Sequence, residues 1–247
     1  MDGYTTLPAP PPLGELLAQG PIALFLDFDG TLVDIAARPD DIVVPRTLAA
    51  DLQALSGRLD GRLALVSGRA LDDLAKYIGQ PAICRAGSHG ASRFLSDGTR
   101  LGEEPRGLSE NSVTELKAYA ADNGLFYETK AHGGALHFRG MPEKREATLA
   151  FADGFAGSRD LRVTSGKGVV ELVRPGATKA AAVSAFMAVS PFLGAFPVFV
   201  GDDVTDEDGF AGAAEKGGFG IAVGERPSER ARYGLDNVAA VHHWLEV

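Results

Sequence analysis

Cysteine is nearly missing from these 247 residues. Cys84 is the single one, so no disulfide can form within the chain, and a fold stapled by cross-links is excluded. It follows Ile83 at the end of an apolar stretch and reads as packing rather than as a nucleophile. Long apolar runs are lacking as well: no segment nears the roughly 18 uninterrupted apolar residues of a membrane span. The chain does not open on a basic region followed by an apolar core, so no signal peptide is expected. Positive charge is also in deficit, with 24 Lys and Arg against 33 Asp and Glu and a net charge of −9. That balance argues against nucleic acid or an anionic membrane surface as a partner. The expectation is a cytoplasmic monomer acting on a small molecule. An anionic ligand would then depend on individual Lys and Arg positions.

Hydrophobic residues at 45% and charged residues at 23% describe an ordinary globular protein, long enough for one large domain or two small ones. Pro8, Pro10, Pro11 and Pro12 make residues 1–19 read as an extended or mobile tail. From residue 22 strands and helices alternate. Residues 22–28 form an apolar strand, 47–59 carry helical spacing through Leu48, Leu52 and Leu55, and 62–67 form a second strand. A short helix at 71–78 and a strand at 83–86 follow, then a Ser96-Asp97-Gly98 hairpin turn. Continuous apolar strands alternating with helices imply a parallel sheet covered on both faces.

The rhythm changes near residue 107. A helix at 109–123 is stopped by Gly124, and strands at 126–130 and 135–139 are separated by Gly133-Gly134. A helix starts at Pro142 and runs to about 155, and strands at 161–164 and 169–173 flank a Ser165-Gly166-Lys167-Gly168 turn. This is an αββαββ module, closed by Pro175-Gly176. The earlier rhythm then resumes with a helix at 179–189, a strand at 198–200, a helix at 206–216 and a strand at 219–223. The expected fold is α/β: a Rossmann-like parallel-sheet core over 20–106 and 175–247, interrupted by an α+β cap over 107–174.

Ligands of an open parallel sheet bind beyond the C-terminal strand ends. The first strand ends in Asp27-Phe28-Asp29-Gly30-Thr31, and residues i and i+2 of a strand point the same way. Two carboxylates emerging together repel, and a shared proton or a hard cation such as Mg²⁺ relieves them. A simple turn would also use Asp and Gly. The second strand ends in Ser67-Gly68-Arg69, where Ser67 either caps the next helix or offers its hydroxyl to an anion. The strand at 198–200 ends in Gly201-Asp202-Asp203-Val204-Thr205-Asp206-Glu207-Asp208. Helix capping accounts in part for Asp206, Glu207 or Asp208. It does not require Asp202 and Asp203 directly after a buried strand. Lys179 opens a helix behind Thr178, against the helix dipole. It is either a solvated lysine or added charge at an anion site.

With these residues the chain resembles the haloacid dehalogenase-like phosphohydrolase superfamily. Asp27-Phe28-Asp29-Gly30-Thr31, Ser67, Lys179 and Gly201-Asp202-Asp203 stand for its four motifs, in order, with the cap in the second insertion position. The resemblance implies that Asp27 attacks phosphorus to form an aspartyl phosphate, that Asp29 is the acid and base, and that Ser67 and Lys179 position the phosphoryl group. It implies Mg²⁺ on Asp27, the Asp29 carbonyl and Asp202, with Asp203 beside it and Asp206 behind. The longer string Gly201-Asp202-Asp203-Val204-Thr205-Asp206-Glu207 is similar to trehalose-6-phosphate phosphatases, which implies trehalose 6-phosphate as substrate. The alternatives are another phosphosugar (sucrose phosphate, mannosylphosphoglycerate or a hexose phosphate) or a non-catalytic sugar-phosphate sensor. Ala180 departs from the family, which often has Gly after the lysine.

The same resemblance extends to Gly68, Arg69, His89, Glu128, Lys130, His137, Arg139, Lys167 and Glu171 as substrate-binding residues. A disaccharide presents many hydroxyls and needs convergent polar groups. Glu128 and Lys130 share a strand face, as do His137 and Arg139. A solvated sheet face with paired charges would fit each of them singly. His89 either meets substrate or braces the 87–90 turn.

Overall fold

The computed structural model of the chain describes residues 7–36, 38, 41–103, 106–130, 132–166, 168–174 and 176–247. Lys167 and Pro175 lie outside the described residues. The first segment contains α1 (Leu13–Gln19), β1 (Ile22–Leu26), α2 (Leu48–Arg58), β2 (Leu63–Val66), α3 (Leu71–Ile78), β3 (Cys84–Gly87) and β4 (Ser92–Phe94). Next come α4 (Glu110–Asn123), β5 (Phe126–Lys130), β6 (Gly133–His137), α5 (Arg145–Ala156), β7 (Arg162–Gly166) and β8 (Val169–Val173). The last segment holds α6 (Lys179–Met187), β9 (Phe196–Gly201), α7 (Asp206–Glu215), β10 (Phe219–Val223), β11 (Tyr233–Leu235) and α8 (Val238–Leu245). Two compact units result: residues 1–103 with 178–247, and residues 104–177. Among the described residues no helix is long and apolar enough to cross a membrane.

The larger unit is built on a seven-stranded sheet ordered β11-β10-β9-β1-β2-β3-β4. Every neighbouring pair is parallel except β3 with β4. β1 reads Ile-Ala-Leu-Phe-Leu and is buried at all five positions, as a central strand covered on both faces requires. One face packs Leu24, Leu26, Leu52 and Leu55, and the other packs Phe25, Phe186, Phe192 and Phe199. Cys84 belongs to the second face, and burial pushes its thiol up to about 11, which keeps it an inert packing group. From β1 the chain adds strands outward through β2 and β3, whereas β9 to β11 build out on the other side. The order therefore reverses between β1 and β9, and that crevice is where such sheets bind ligands.

The proline-rich opening is not a loose tail over its described part. Pro12 precedes α1, and its carbonyl accepts from the amides of Glu15 and Leu16, while Leu13 and Leu16 are buried. The Pro8 carbonyl accepts from Gly234 N, and the Pro11 carbonyl accepts from Trp244 Nε1 at 2.8 Å. Proline lacks a donor but keeps its acceptor, so this strap joins the edge at β11 and α8 without ladder donors of its own. β11 and α8 are themselves additions to the sequence reading. A three-residue strand carries too few alternations to be recognised, and α8 spans barely two turns.

The smaller unit is a four-stranded antiparallel sheet, β5-β6-β8-β7, with α4 and α5 packed on one face. Ser109 caps α4 through Ser112 N, and Gly124 closes it in the left-handed conformation. Leu136, Val170 and Leu172 point into the core with Leu116, Ala152 and Phe155. Gly133 and Gly134, expected between strands, lie inside β6. A side chain at Gly133 would meet the Leu172 carbonyl oxygen at 2.1 Å, so the missing Cβ serves close strand packing rather than a turn. Gly154 in α5 faces open space. Two opposite outcomes follow for thermal unfolding. Gly133→Ala should destabilise by about 1–3 kcal/mol or more, and Gly154→Ala should stabilise by roughly 0.5–1 kcal/mol. Equal midpoints for the two variants would contradict this packing.

Candidate active site

Lys179 is the first residue of α6, behind Thr178, whose hydroxyl accepts from Ala181 N. Its side chain runs inward, almost fully buried, and Nζ lies 2.7 Å from Asp27 Oδ1 and 2.5 Å from Asp206 Oδ1. A solvated surface lysine is thereby excluded. Asp27 leaves β1 with its amide on the Val200 carbonyl, so the ends of β1 and β9 are tied together. Asp206 opens α7, is fully buried, and takes the Asp203 amide on its second oxygen at 2.9 Å. Fastening the turn before α7 and ion pairing are both tasks of this one carboxylate.

Asp202 completes the group. Oxygens of Asp27, Asp202 and Asp206 lie within 4.8 Å of one another, although positions 27 and 202 are far apart in the chain. Asp202 packs directly over Gly30, where a Cβ would stand 2.1 Å from Asp202 Oδ2; Gly30 also has φ +77°, so both space and backbone demand glycine there. Asp202 Oδ1 is buried without a hydrogen-bond partner. Three carboxylates face one ammonium, and the excess negative charge sets the electrostatics. Burial raises Asp27 well above the usual carboxylate range, with Lys179 opposing and Asp206 adding. Burial, then Asp206 and Asp203, pushes Asp202 up to about 7. Asp206 is raised by burial against the pull of Lys179. Burial pulls Lys179 down, but Asp206 and Asp27 outweigh it and hold the ammonium charged. A compact set of hard oxygens, an orphaned buried oxygen and uncompensated negative charge fit a small divalent cation such as Mg²⁺.

Two expected members stand elsewhere. Asp203 is exposed and outside the acid group, and its amide serves Asp206. Asp29 does not share the site of Asp27 in the way strand parity suggests, because β1 stops at Leu26 and the chain turns over the Phe28 carbonyl. Its carboxylate is held by Arg69 through two bonds, Nε to Oδ2 at 2.6 Å and Nη2 to Oδ1 at 2.7 Å. Arg69 also donates to Asp73 at 2.8 Å, and the Asp29 bonds hold the guanidinium firmly charged.

Ser67 is buried at the end of β2. Its Oγ accepts from Arg69 N at 3.1 Å, and its carbonyl accepts from His89 N, so the turns after β2 and β3 are joined. The His89 ring packs against Gly68, where a Cβ would lie 2.7 Å from its Cε1, and His89 itself has φ +56°. The bracing role is thus present in the structure. Ala180, the departure from the family pattern, packs against α7 at Gly212, where a Cβ would stand 2.8 Å from Ala180 Cα. Glycine on the facing helix makes room for the methyl.

In the smaller unit the sheet face opposite α4 and α5 carries the charges. Register places Glu128 and Glu171 across from Ala135, and Lys130 across from Gly133. Small residues on β6 let long side chains from both flanking strands meet above them, and Lys130 pairs with Glu171. His137 Nε2 lies 2.8 Å from Glu128 Oε2. Arg139 lies beyond the end of β6 and is exposed. A residue missed in the sequence is Arg226, in the loop after β10, which grips the Asp202 and Asp203 carbonyls. No local pattern marks it, since its partners lie more than 20 positions away.

Comparison with known proteins first gives the class. The fold is similar to the C-terminal domain of Candida albicans trehalose-6-phosphate phosphatase, with TM-score 0.78 and 22% identity over 99% of this chain and 100% of that one. It is also similar to a phosphatase of the haloalkanoate (HAD) superfamily from Bacteroides thetaiotaomicron, with TM-score 0.67 and 15% identity over 90% and 92%. The architecture is thus that of HAD phosphatases with a cap. The trehalose-6-phosphate phosphatase of Escherichia coli strain K12 is 38% identical over 231 residues, covering 91% of this chain and 85% of the relative. A profile of the trehalose-phosphatase family matches residues 25–237, and the chain belongs to that family. It is therefore a phosphoric monoester hydrolase.

Stability in the presence of chelator should report the crowded acids. An unfolded aspartate titrates near ~3.9, and folded Asp202 near about 7. Between these values the folded state keeps a proton that the unfolded state has lost, so stability falls as pH rises from about 4 to about 7. Thermal midpoints measured with chelator should drop across that window. Asp202→Asn should flatten the drop and exceed the native chain at pH 8. A variant less stable than the native chain at pH 8 would contradict the charge crowding.

Proposed function

We propose that the chain is a cytoplasmic, Mg²⁺-dependent phosphatase that hydrolyses trehalose 6-phosphate to trehalose and phosphate. The observation that carries this reading is the buried Lys179 bridging Asp27 and Asp206 beside the orphaned Asp202 oxygen, at the sheet's reversal point. The names of the relatives supply the sugar, and the lone buried Cys84 is consistent with a reducing compartment.

Asp27 and Asp202 would hold the cation, with Asp206 behind them, and its charge would offset the repulsion between a carboxylate nucleophile and a phosphate dianion. An Asp27 oxygen attacks phosphorus, forming the aspartyl phosphate as the bond from phosphorus to the sugar oxygen breaks. The departing oxygen takes its proton from Asp29. Water then attacks phosphorus, gives a proton back to Asp29, and Asp27 leaves as a carboxylate with phosphate released. Arg69 holds both oxygens of Asp29, so proton exchange with the sugar and with water requires that grip to loosen. The Ser67 Oγ already accepts from Arg69 N, so its hydroxyl proton is the group it offers to a phosphoryl oxygen. Lys179 supplies fixed positive charge to the same anion. The charged face of the cap, through Glu128, Lys130, His137, Arg139 and Glu171, would read the sugar hydroxyls.

Phosphate release should be fast with trehalose 6-phosphate and Mg²⁺, slow with sucrose or glucose phosphates, and abolished by chelator. Asp27→Asn should lower turnover by at least about 10⁴-fold while leaving the fold intact. Equal rates across the sugar phosphates would contradict the substrate, and an active Asp27→Asn protein would contradict the nucleophile.

A further inference from the structure

We infer that Arg226 is a positioning residue for the cation: it fixes the backbone that aims Asp202 at the acid group. The inference rests on the reading that Asp27 and Asp202 hold a divalent cation. Every nitrogen of the guanidinium is engaged. Nε donates to the Asp202 carbonyl at 2.9 Å, and Nη2 donates to the Asp203 carbonyl at 3.0 Å and to Glu207 Oε1 at 2.7 Å. Nη1 donates to the Pro227 carbonyl at 2.9 Å, within its own loop.

Glu207 in turn takes the Arg230 amide on its other oxygen at 3.0 Å, and the Ser228 hydroxyl accepts from the amides of Arg230 and Ala231. The loop after β10 is thus fastened to α7 and to itself, and it holds Arg226 in place. Between Asp202 and Asp203 the chain is pinned at both carbonyls by Arg226 and at the Asp203 amide by Asp206.

The pins oppose a definite force. Asp202 stands among like charges with one buried oxygen unsatisfied, so an unpinned loop gains by swinging that carboxylate out to water. Arg226 withholds that relaxation, and the acid group stays assembled for a cation. Only a planar fork meets two successive carbonyls and a carboxylate together; a lysine offers a point charge.

The test is Mn²⁺ binding to the purified full chain, followed by electron paramagnetic resonance with no substrate present, on proteins whose near-ultraviolet circular dichroism matches the native chain. Partners that orient metal ligands are worth about 10- to 100-fold in metal affinity. Arg226→Ala should weaken Mn²⁺ binding by that factor, and Arg226→Lys should weaken it by a smaller one. Should Arg226→Ala fail to fold, Arg226→Lys and Glu207→Gln carry the test, each expected to bind Mn²⁺ measurably more weakly. Native affinity in the folded variants overturns the positioning role. Absence of Mn²⁺ binding in the unaltered chain overturns the cation reading beneath it, and with it this inference.

Discussion

A lysine ammonium with almost no contact to water sits between two buried aspartates, and the site is arranged around that charge. Removing an ammonium and two carboxylates from water costs several kcal/mol per ion unless each finds close opposite charge. Lys179 meets both partners at hydrogen-bond distance and so keeps Asp27 and Asp206 buried. It cannot neutralise a third acid. Asp202 enters the same space with an oxygen unpaired, and the imbalance becomes a demand for a cation rather than a fault in packing. Structural stability and catalytic readiness thus pull in opposite directions at one spot.

The scaffold decides which side chains share that spot. The sheet's order reverses between β1 and β9, so Leu26 and Val200, at the ends of strands far apart in the sequence, emerge side by side. α6 then aims Lys179 in from its first turn. Close approach is allowed by missing side chains: Gly30 admits the Asp202 carboxylate, and Gly212 lets α7 lie against α6 at Ala180. The cap follows a different logic. Its sheet buries one face on two helices and leaves the other to charged pairs set over Gly133 and Ala135.

Much of this was legible in the sequence. The buried strands read as continuous apolar runs, and β5, β8 and β10 fall on the residues that their patterning marks. Asp27, Asp202, Ser67 and Lys179 announce themselves by standing at strand ends and a helix start. What the sequence hid depends on distant partners. Strand parity failed for Asp29 because β1 ends three residues earlier and Arg69 claims the carboxylate. Gly133 and Gly134 resemble a turn until the neighbouring strand shows why no Cβ fits. α1 was masked by the prolines before it, which bond through carbonyls to an edge the sequence does not reveal. Arg226 is silent in one dimension, since its meaning lies in two carbonyls on another loop.

The most direct measurement of the central claim is an anomalous difference map from crystals of the full chain grown with Mn²⁺. The account predicts a strong peak within coordination distance of the Asp27 and Asp202 carboxylates, on the side of Asp202 Oδ1. A map with no peak there, or with Mn²⁺ bound only elsewhere, would contradict it.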